Sequence, residues 1–140
     1  MENSKSKLIK EIAQELDCGN DCYFNSKTEK ITTIPNFSSF MDEEAFQELY
    51  EADIKKVENN KADYIKIETL KSNVSFKIME QFVDQMPENN LKSELETILQ
   101  RKKPFQSFKF TVETSEYRAS WFAFKKNELE KIVKKRLESA

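Results

Sequence analysis

The chain of 140 residues contains no histidine. Imidazole is the usual general base of serine and cysteine hydrolases and the commonest nitrogen ligand of metals. Its absence excludes Ser–His and Cys–His catalytic pairs as well as histidine metal sites. An enzyme would have to use carboxylate, lysine, tyrosine or cysteine side chains alone. We therefore predict no catalytic residue and lean against an enzyme.

Glycine and cysteine are also scarce. Gly19 is the single glycine, which excludes a phosphate-binding P-loop and a Rossmann glycine turn, so no cofactor is predicted. Cys18 and Cys22 supply two thiolates where zinc prefers four ligands, and their spacing is not that of a Cys-x-x-Cys redox motif. We predict no metal, and we expect both cysteines to be reduced core residues rather than a disulfide.

The sequence shows no signal peptide and no apolar run long enough to cross a bilayer. We therefore expect a cytoplasmic protein that makes no membrane contact. Its content is 38% hydrophobic and 34% charged, which is polar for a folded protein, but its 11 phenylalanines are large enough to fill a small core. We predict a single domain over residues 1–140.

The net charge of −2 conceals an uneven distribution. Residues 1–100 carry 12 Lys and Arg against 20 Asp and Glu, whereas residues 101–140 carry 11 against 5. Such a division is typical of an acidic half that docks on a basic half, or of a basic face for an acidic partner.

Aromatic and basic residues are interleaved in segment 101–124, which holds 7 of the 16 aromatic residues and 5 basic ones. Its rings could form a stacking platform for bases, helped by the neighbouring cations. We favour the alternative that the rings are core and the cations are solvated, with Trp121 mostly buried. The candidate partner-binding residues are Arg101, Lys103, Phe105, Arg118 and Trp121.

The acidic segment 42–53 is the other dense group of charges. Divalent cations prefer carboxylates, but neighbouring residues of a helix point in different directions and converge poorly. We therefore favour a solvated acidic face over a metal site. Similarly, Glu68 beside Lys66 and Tyr64 is more typical of ion pairing across a sheet than of acid–base catalysis.

The N-terminal half alternates between helix and strand patterns. Apolar spacing predicts a helix over 5–16, which Gly19 terminates. Strands are predicted near 21–25, 30–35 and 63–68, and the turn-like segment 25–29 makes the first two a hairpin. A helix is predicted to begin at Asp42-Glu43-Glu44 and to end at Asn59-Asn60. Its apolar stripe contains Phe46, Leu49, Tyr50, Ile54 and Val57.

Everything after Ser72 is predicted to be helix or loop. Ser72 is expected to cap one helix that Pro87 ends, and a second helix stops at Pro104. The apolar residues of segment 105–112 fit either the period of a helix or the alternation of a strand. We favour a helix because Pro suits a first helical position. Ser115 is expected to cap a last helix. Asn127 followed by Glu130 resembles a second cap and predicts a break or bend near Lys126.

Several segments together resemble a known bacterial group. The most distinctive are Arg101-Lys102-Lys103-Pro104-Phe105 and Trp121-Phe122-Ala123-Phe124. The chain resembles uncharacterised protein family 0158 of the UPF series over about residues 6–138. The resemblance implies a small, soluble, bacterial and cytoplasmic protein, and it brings no activity or catalytic residue.

The sequence as a whole predicts an α+β fold, in which five or six helices pack mainly on one face of a small antiparallel sheet of about three strands. For function we rank a non-catalytic protein-binding or adaptor module first, with another protein as its partner. A nucleic-acid-binding protein that uses region 101–136 is the alternative. A histidine-independent enzyme ranks third.

Overall fold

The computed structural model describes residues 2–35 and 43–139. Within them lie six α-helices and one three-stranded antiparallel sheet, which confirms the predicted α+β class. The elements in chain order are α1 (Glu2–Asp17), β1 (Asn20–Asn25), β2 (Ile31–Pro35), α2 (Glu43–Asn59), β3 (Tyr64–Ile67), α3 (Ser72–Gln85), α4 (Asn90–Leu99), α5 (Pro104–Glu113) and α6 (Arg118–Glu138).

The chain divides into two compact units. The first, the sheet unit, comprises Met1–Thr69 and Glu130–Ala140, and the second, the helical unit, comprises Leu70–Leu129. The single domain predicted over 1–140 stays a prediction. None of the helices in the described residues is both long and apolar enough to pass through a bilayer.

The sheet has the strand order β2-β1-β3, and both pairs are antiparallel. Cys22 in the central strand lies opposite Thr33 on one side and Ile67 on the other. All three predicted strands are therefore confirmed to within one residue at each end. Arg136 of α6 donates a hydrogen bond from Nε to the carbonyl of Lys66 at 3.0 Å, which occupies an acceptor on the edge strand β3.

The hairpin turn between β1 and β2 is built by one asparagine. The side-chain oxygen of Asn25 accepts from the amides of Lys27 at 2.8 Å and Thr28 at 3.0 Å. Glu29 then adopts a φ of 60°, which returns the chain to β2. An asparagine that bonds backbone amides two and three residues on is typical of a turn, and this explains why the local pattern predicted it correctly.

We expect Asn25→Ala to lower the free energy of unfolding by about 1 kcal/mol, because two amides of the turn lose their acceptor to solvent. The matched control is Asn25→Asp, which keeps an acceptor oxygen at the same place and should lose less. Urea denaturation followed by circular dichroism measures both. Equal losses in the two variants would show that the side-chain acceptor does not stabilise this turn.

Helix α1 ends as its sequence predicts. Ile12, Ala13 and Leu16 are buried along its inner face. The amide of Gly19 donates to the carbonyl of Leu16 at 3.0 Å, and Gly19 has a φ of 92°. Only glycine adopts such a φ without strain, so the single glycine of the chain is used to end this helix.

Helix α2 confirms part of its predicted stripe. The predicted start at Asp42 lies outside the described residues, and the end at Asn59 is confirmed. Phe46 is buried, but Leu49 is 66% exposed, so its assignment to a buried stripe is wrong. Hydrophobic spacing identifies a helix face, whereas burial also requires another element to cover it.

Two local predictions in the helical unit need correction. Ser72 is the first residue of α3, and Lys71 occupies the capping position without a side-chain hydrogen bond. The predicted break near Lys126 is also wrong, because α6 is continuous from Arg118 to Glu138. Inside a continuous helix the backbone amides already donate to carbonyls of the preceding turn. A capping side chain there has no free amide to bind.

Helix α5 settles the ambiguous segment 105–112 in favour of the predicted helix. Pro104 occupies its first turn, where no amide is needed. Phe108 and Val112, four residues apart, are fully buried. The strand alternative would have placed Phe108 and Phe110 on the same face, but only Phe108 is buried.

Candidate partner-binding surface

The five candidate residues all belong to the helical unit. Arg101 follows the end of α4, and Lys103 is the residue directly before α5. Phe105 lies in the first turn of α5 and is 39% exposed. Arg118 begins α6, and Trp121 lies less than one turn further along the same helix.

Trp121 is a core residue, as predicted. Its side chain is 5% exposed. The rings of Phe82 and Phe108 pack against it edge to face, with centroids 5.2 Å and 5.1 Å away. Because these contacts hide the indole, its burial favours the core interpretation over a platform for stacking bases. A role for Trp121 in partner binding stays a prediction.

Arg118 lies on a cation–aromatic surface of α6, here called the α6 stack and made of Arg118, Trp121, Phe122 and Lys125. The Arg118 guanidinium lies 5.2 Å from the centroid of Phe122. Lys125 Nζ lies 5.8 Å from the centroids of both Trp121 and Phe122. Residues spaced by three and four share one helix face, so the sequence spacing brings these groups together. The two cations lie over the rings of Trp121 and Phe122. This arrangement agrees with the interpretation that the rings belong to the core and the cations face solvent.

A concave surface near the candidates lies between α4 and α5, and we call it the α4–α5 groove. It has a volume of ≈ 450 Å³. Ile98 is buried at its base, and Arg101 is the single sequence-predicted candidate that lines it. Its lining residues are Glu94, Ile98, Arg101, Gln106, Ser107, Phe110 and Thr111.

Phe110 lines this groove and was not among the residues predicted from the sequence. It is 71% exposed, more than the other described large apolar side chains that lie at the surface, Leu49 and Phe105. Successive residues of an α-helix turn by about 100°, so Phe110 points away from both Phe108 and Val112. A helical wheel over Pro104–Glu113 therefore contains the signal once the segment is taken as a helix.

The charges of the groove are not neutralised by neighbouring side chains. Arg101 and Glu94 are both exposed. Neither takes part in any of the ion pairs found among residues 2–35 and 43–139. Each therefore remains available to a partner of opposite charge.

Other charged residues form ion pairs with near neighbours in the chain. On α2, Glu51 pairs with Lys55 at 2.7 Å, and the hydrogen bond from Lys55 lowers the pKa of the Glu51 carboxyl. Lys66 of β3 pairs at 3.8 Å with Glu68, which follows the strand, so the prediction that this pair bridges two strands is wrong. In the part of the chain that the structure describes, no three acidic or cysteine side chains gather into a metal site.

The two cysteines differ from each other. Cys22 is buried, as predicted, and its pKa is raised to about 12 by burial and by the nearby carboxylates of Glu15, Asp21 and Glu11. Cys18 is exposed, so its assignment to the core is wrong. Both are free thiols.

The family model of the Uncharacterised protein family (UPF0158) matches residues 3–139 of this chain. The chain belongs to this family. No curated protein and no solved structure matches it. The resemblance to family 0158 is thereby confirmed. The UPF0158 match includes the α4–α5 groove and the α6 stack, and it carries no activity, so function has to be argued from these surfaces.

Proposed function

We propose that this UPF0158 protein is a non-catalytic protein-binding module whose contact surface is the α4–α5 groove. The exposure of Phe110 carries the proposal, because 71% of this large apolar residue faces solvent at the rim of a groove. Covering a Phe side chain gives a partner about 1.5–3 kcal/mol of hydrophobic free energy. Aromatic and arginine side chains are also the residues that dominate binding energies at protein interfaces.

The chemistry of the groove supports a polypeptide partner over a nucleic acid. Glu94 lines the groove and would repel a phosphate backbone. Trp121 is buried, so the largest ring of the region is not exposed for stacking. Arg136, one of the basic residues of region 101–136, binds the Lys66 carbonyl. The enzyme hypothesis gains no support from this groove, whose lining has one carboxylate and no cysteine, lysine or tyrosine.

We expect Phe110→Ser to weaken binding of the partner by about 30-fold, which corresponds to the roughly 2 kcal/mol of an interface hot spot. The matched control is Leu49→Ser, which removes another exposed apolar side chain, on α2 of the sheet unit. Tagged wild-type and variant proteins are used to capture partners from a nuclease-treated bacterial lysate. The dissociation constant is then measured with the purified recombinant partner. Both variants should keep their melting temperature because both side chains are exposed.

Two results would contradict the proposal. In the first, wild type and Phe110→Ser bind every captured partner equally, so the groove is not the contact surface. In the second, titration with labelled single- and double-stranded DNA and RNA shows sub-micromolar binding that the triple variant Arg101→Ala, Lys103→Ala, Arg118→Ala abolishes. Such binding should fall steeply between about 50 and 200 mM salt, and it would establish the nucleic-acid alternative.

A further inference from the structure

We infer that the segment bound in the α4–α5 groove carries its charges in a fixed order: a carboxylate against Arg101, a basic group against Glu94, and a large apolar side chain between them against Phe110. This inference rests on the proposed function. It adds the chemistry of the partner segment to the proposed contact surface.

The order of charges follows from positions on α4. Glu94, Ile98 and Arg101 are spaced by four and three residues, so they lie along one face of the helix and of the turn that follows it. A rise of 1.5 Å per residue separates Glu94 from Arg101 by about 10 Å along the helix axis. The negative and positive ends of the groove are therefore distinct places, with Ile98 between them.

Each of these two charges is open to a partner. The separation of about 10 Å exceeds the Debye length of about 8 Å at physiological salt, so salt screens much of the attraction between the two side chains. Neither has an ion pair with another described residue. A bound segment with matching charges is attracted electrostatically at both ends of the groove. A segment with the reverse order is repelled at both ends, because like charges then face each other.

The middle of the groove fits an apolar side chain and a peptide backbone. Phe110 is 71% exposed and supplies the apolar surface at the rim, whereas Ile98 is 3% exposed and closes the base of the groove. The volume of ≈ 450 Å³ lies within the range of about 300–1,000 Å³ typical of ligand pockets. The side chains of Gln106, Ser107 and Thr111 supply neutral hydrogen-bonding groups beside it.

The separation also predicts the spacing in the partner. An extended chain advances about 3.3–3.6 Å per residue, and only side chains an even number of positions apart face the same side. The same-face spacings nearest to about 10 Å are two and four positions, and only four leaves room on that face for an apolar residue between the acid and the base. In a helical segment the same distance corresponds to about seven positions, or two turns. In both cases the apolar residue falls between them.

The test is selection of random displayed dodecapeptides on the full-length protein, with removal of those that also bind Phe110→Ser. Peptides that need Phe110 should carry an acidic and a basic residue on opposite sides of an apolar residue, in one order. The matched variant is the double exchange Glu94→Arg, Arg101→Glu, which should select the reverse order. A synthetic peptide with its two charges exchanged should bind wild type at least tenfold more weakly and should bind the double variant better than the parent peptide does.

The outcomes separate this inference from the proposed function. Phe110-dependent peptides with no charge order, or with the same order on wild type and on the double variant, would overturn the inference and leave the binding function standing. Recovery of no Phe110-dependent peptide at all would overturn both. A concentration-dependent dimer in sedimentation that Phe110→Ser abolishes would assign the groove to a second copy of this chain and overturn the inference.

Discussion

Replacing Trp121 with alanine is expected to lower the free energy of unfolding by about 3–5 kcal/mol, the range for deleting a large aromatic side chain from a core. Trp121 is 5% exposed, and its ring contacts those of Phe82 and Phe108 edge to face. Alanine removes these contacts and leaves a cavity that helices fixed by their own packing fill only in part. The loss is a large share of the roughly 5–15 kcal/mol that stabilises a typical domain.

Two controls make this result specific to burial. Trp121→Phe keeps an aromatic ring between its neighbours and removes an indole N–H that is buried without a hydrogen-bond partner among the described residues, so it should lose clearly less than alanine. Phe110→Ala removes an exposed ring and should stay within about ±0.5 kcal/mol of wild type. Because Trp121 is the single tryptophan, unfolding in urea is followed by circular dichroism.

An unchanged stability in Trp121→Ala would contradict the core assignment. It would mean that the indole lies at the surface in solution, which would restore the stacking platform as an explanation for the aromatic and basic residues of segment 101–124. The comparison therefore also bears on which of the two leading functions the region serves.

The parts of the fold that the sequence predicted correctly rest on local interactions. The hairpin follows from Asn25, whose side chain bonds the turn amides by itself. The end of α1 follows from Gly19, whose φ of 92° suits glycine. The start of α5 follows from Pro104, which needs no amide partner in a first helical turn. Each of these signals acts within a few residues, so no tertiary information is required.

The predictions that failed depended on what lies beside a residue in space. Phe46 and Leu49 are three residues apart and both belong to the predicted apolar stripe of α2. Phe46 is 6% exposed, whereas Leu49 is 66% exposed. Asn127 and Glu130 have a capping pattern, yet α6 passes through them without interruption. Periodicity and capping patterns express preferences of about 1 kcal/mol, which packing of the whole chain readily overrides.

The candidate site was predicted in part for the same reason. Charge and aromatic content pointed to segment 101–124, and Arg101 of that segment lines the proposed α4–α5 groove. Phe110 was missed because its exposure depends on the period of segment 105–112, which the sequence left open. Glu94 was missed because the candidates were taken from the aromatic and basic segment 101–124, and Glu94 precedes it.

We expect Cys22 in the folded protein to be alkylated by iodoacetamide about a thousandfold more slowly than an unperturbed thiol at about pH 8, because the thiolate is the reactive form. Burial, with Glu15, Asp21 and Glu11 nearby, raises its pKa to about 12. The thiolate fraction near pH 8 is then about one in ten thousand, against about one in ten for a thiol at the unperturbed pKa of 9.0. The thiol donates its proton to the Ile12 carbonyl, with sulfur and oxygen 3.9 Å apart, which also favours the protonated form.

The raised pKa of Cys22 also makes the folded protein less stable as the pH becomes alkaline. The folded state holds the thiol proton more tightly than the unfolded chain, so this stabilisation is complete below the unfolded pKa near 9 and is lost as the pH rises toward about 12. Within that interval the free energy of unfolding should fall by about 1.4 kcal/mol per pH unit on account of this one group. Subtracting the profile of Cys22→Ala isolates this contribution from those of lysine and tyrosine.

The alkylation experiment uses two single-cysteine variants, because Cys18 is exposed and serves as the internal reference. Cys22→Ala leaves only Cys18 and should react rapidly in native buffer, whereas Cys18→Ala leaves only Cys22 and should react slowly. In concentrated guanidinium chloride both should react at similar rates, since unfolding exposes Cys22 to water and returns its pKa to the ordinary range. Mass spectrometry after timed quenching gives the rates. Similar native rates for the two variants would show that Cys22 is accessible as a thiolate, which would contradict its burial on the central strand of the sheet, against α1.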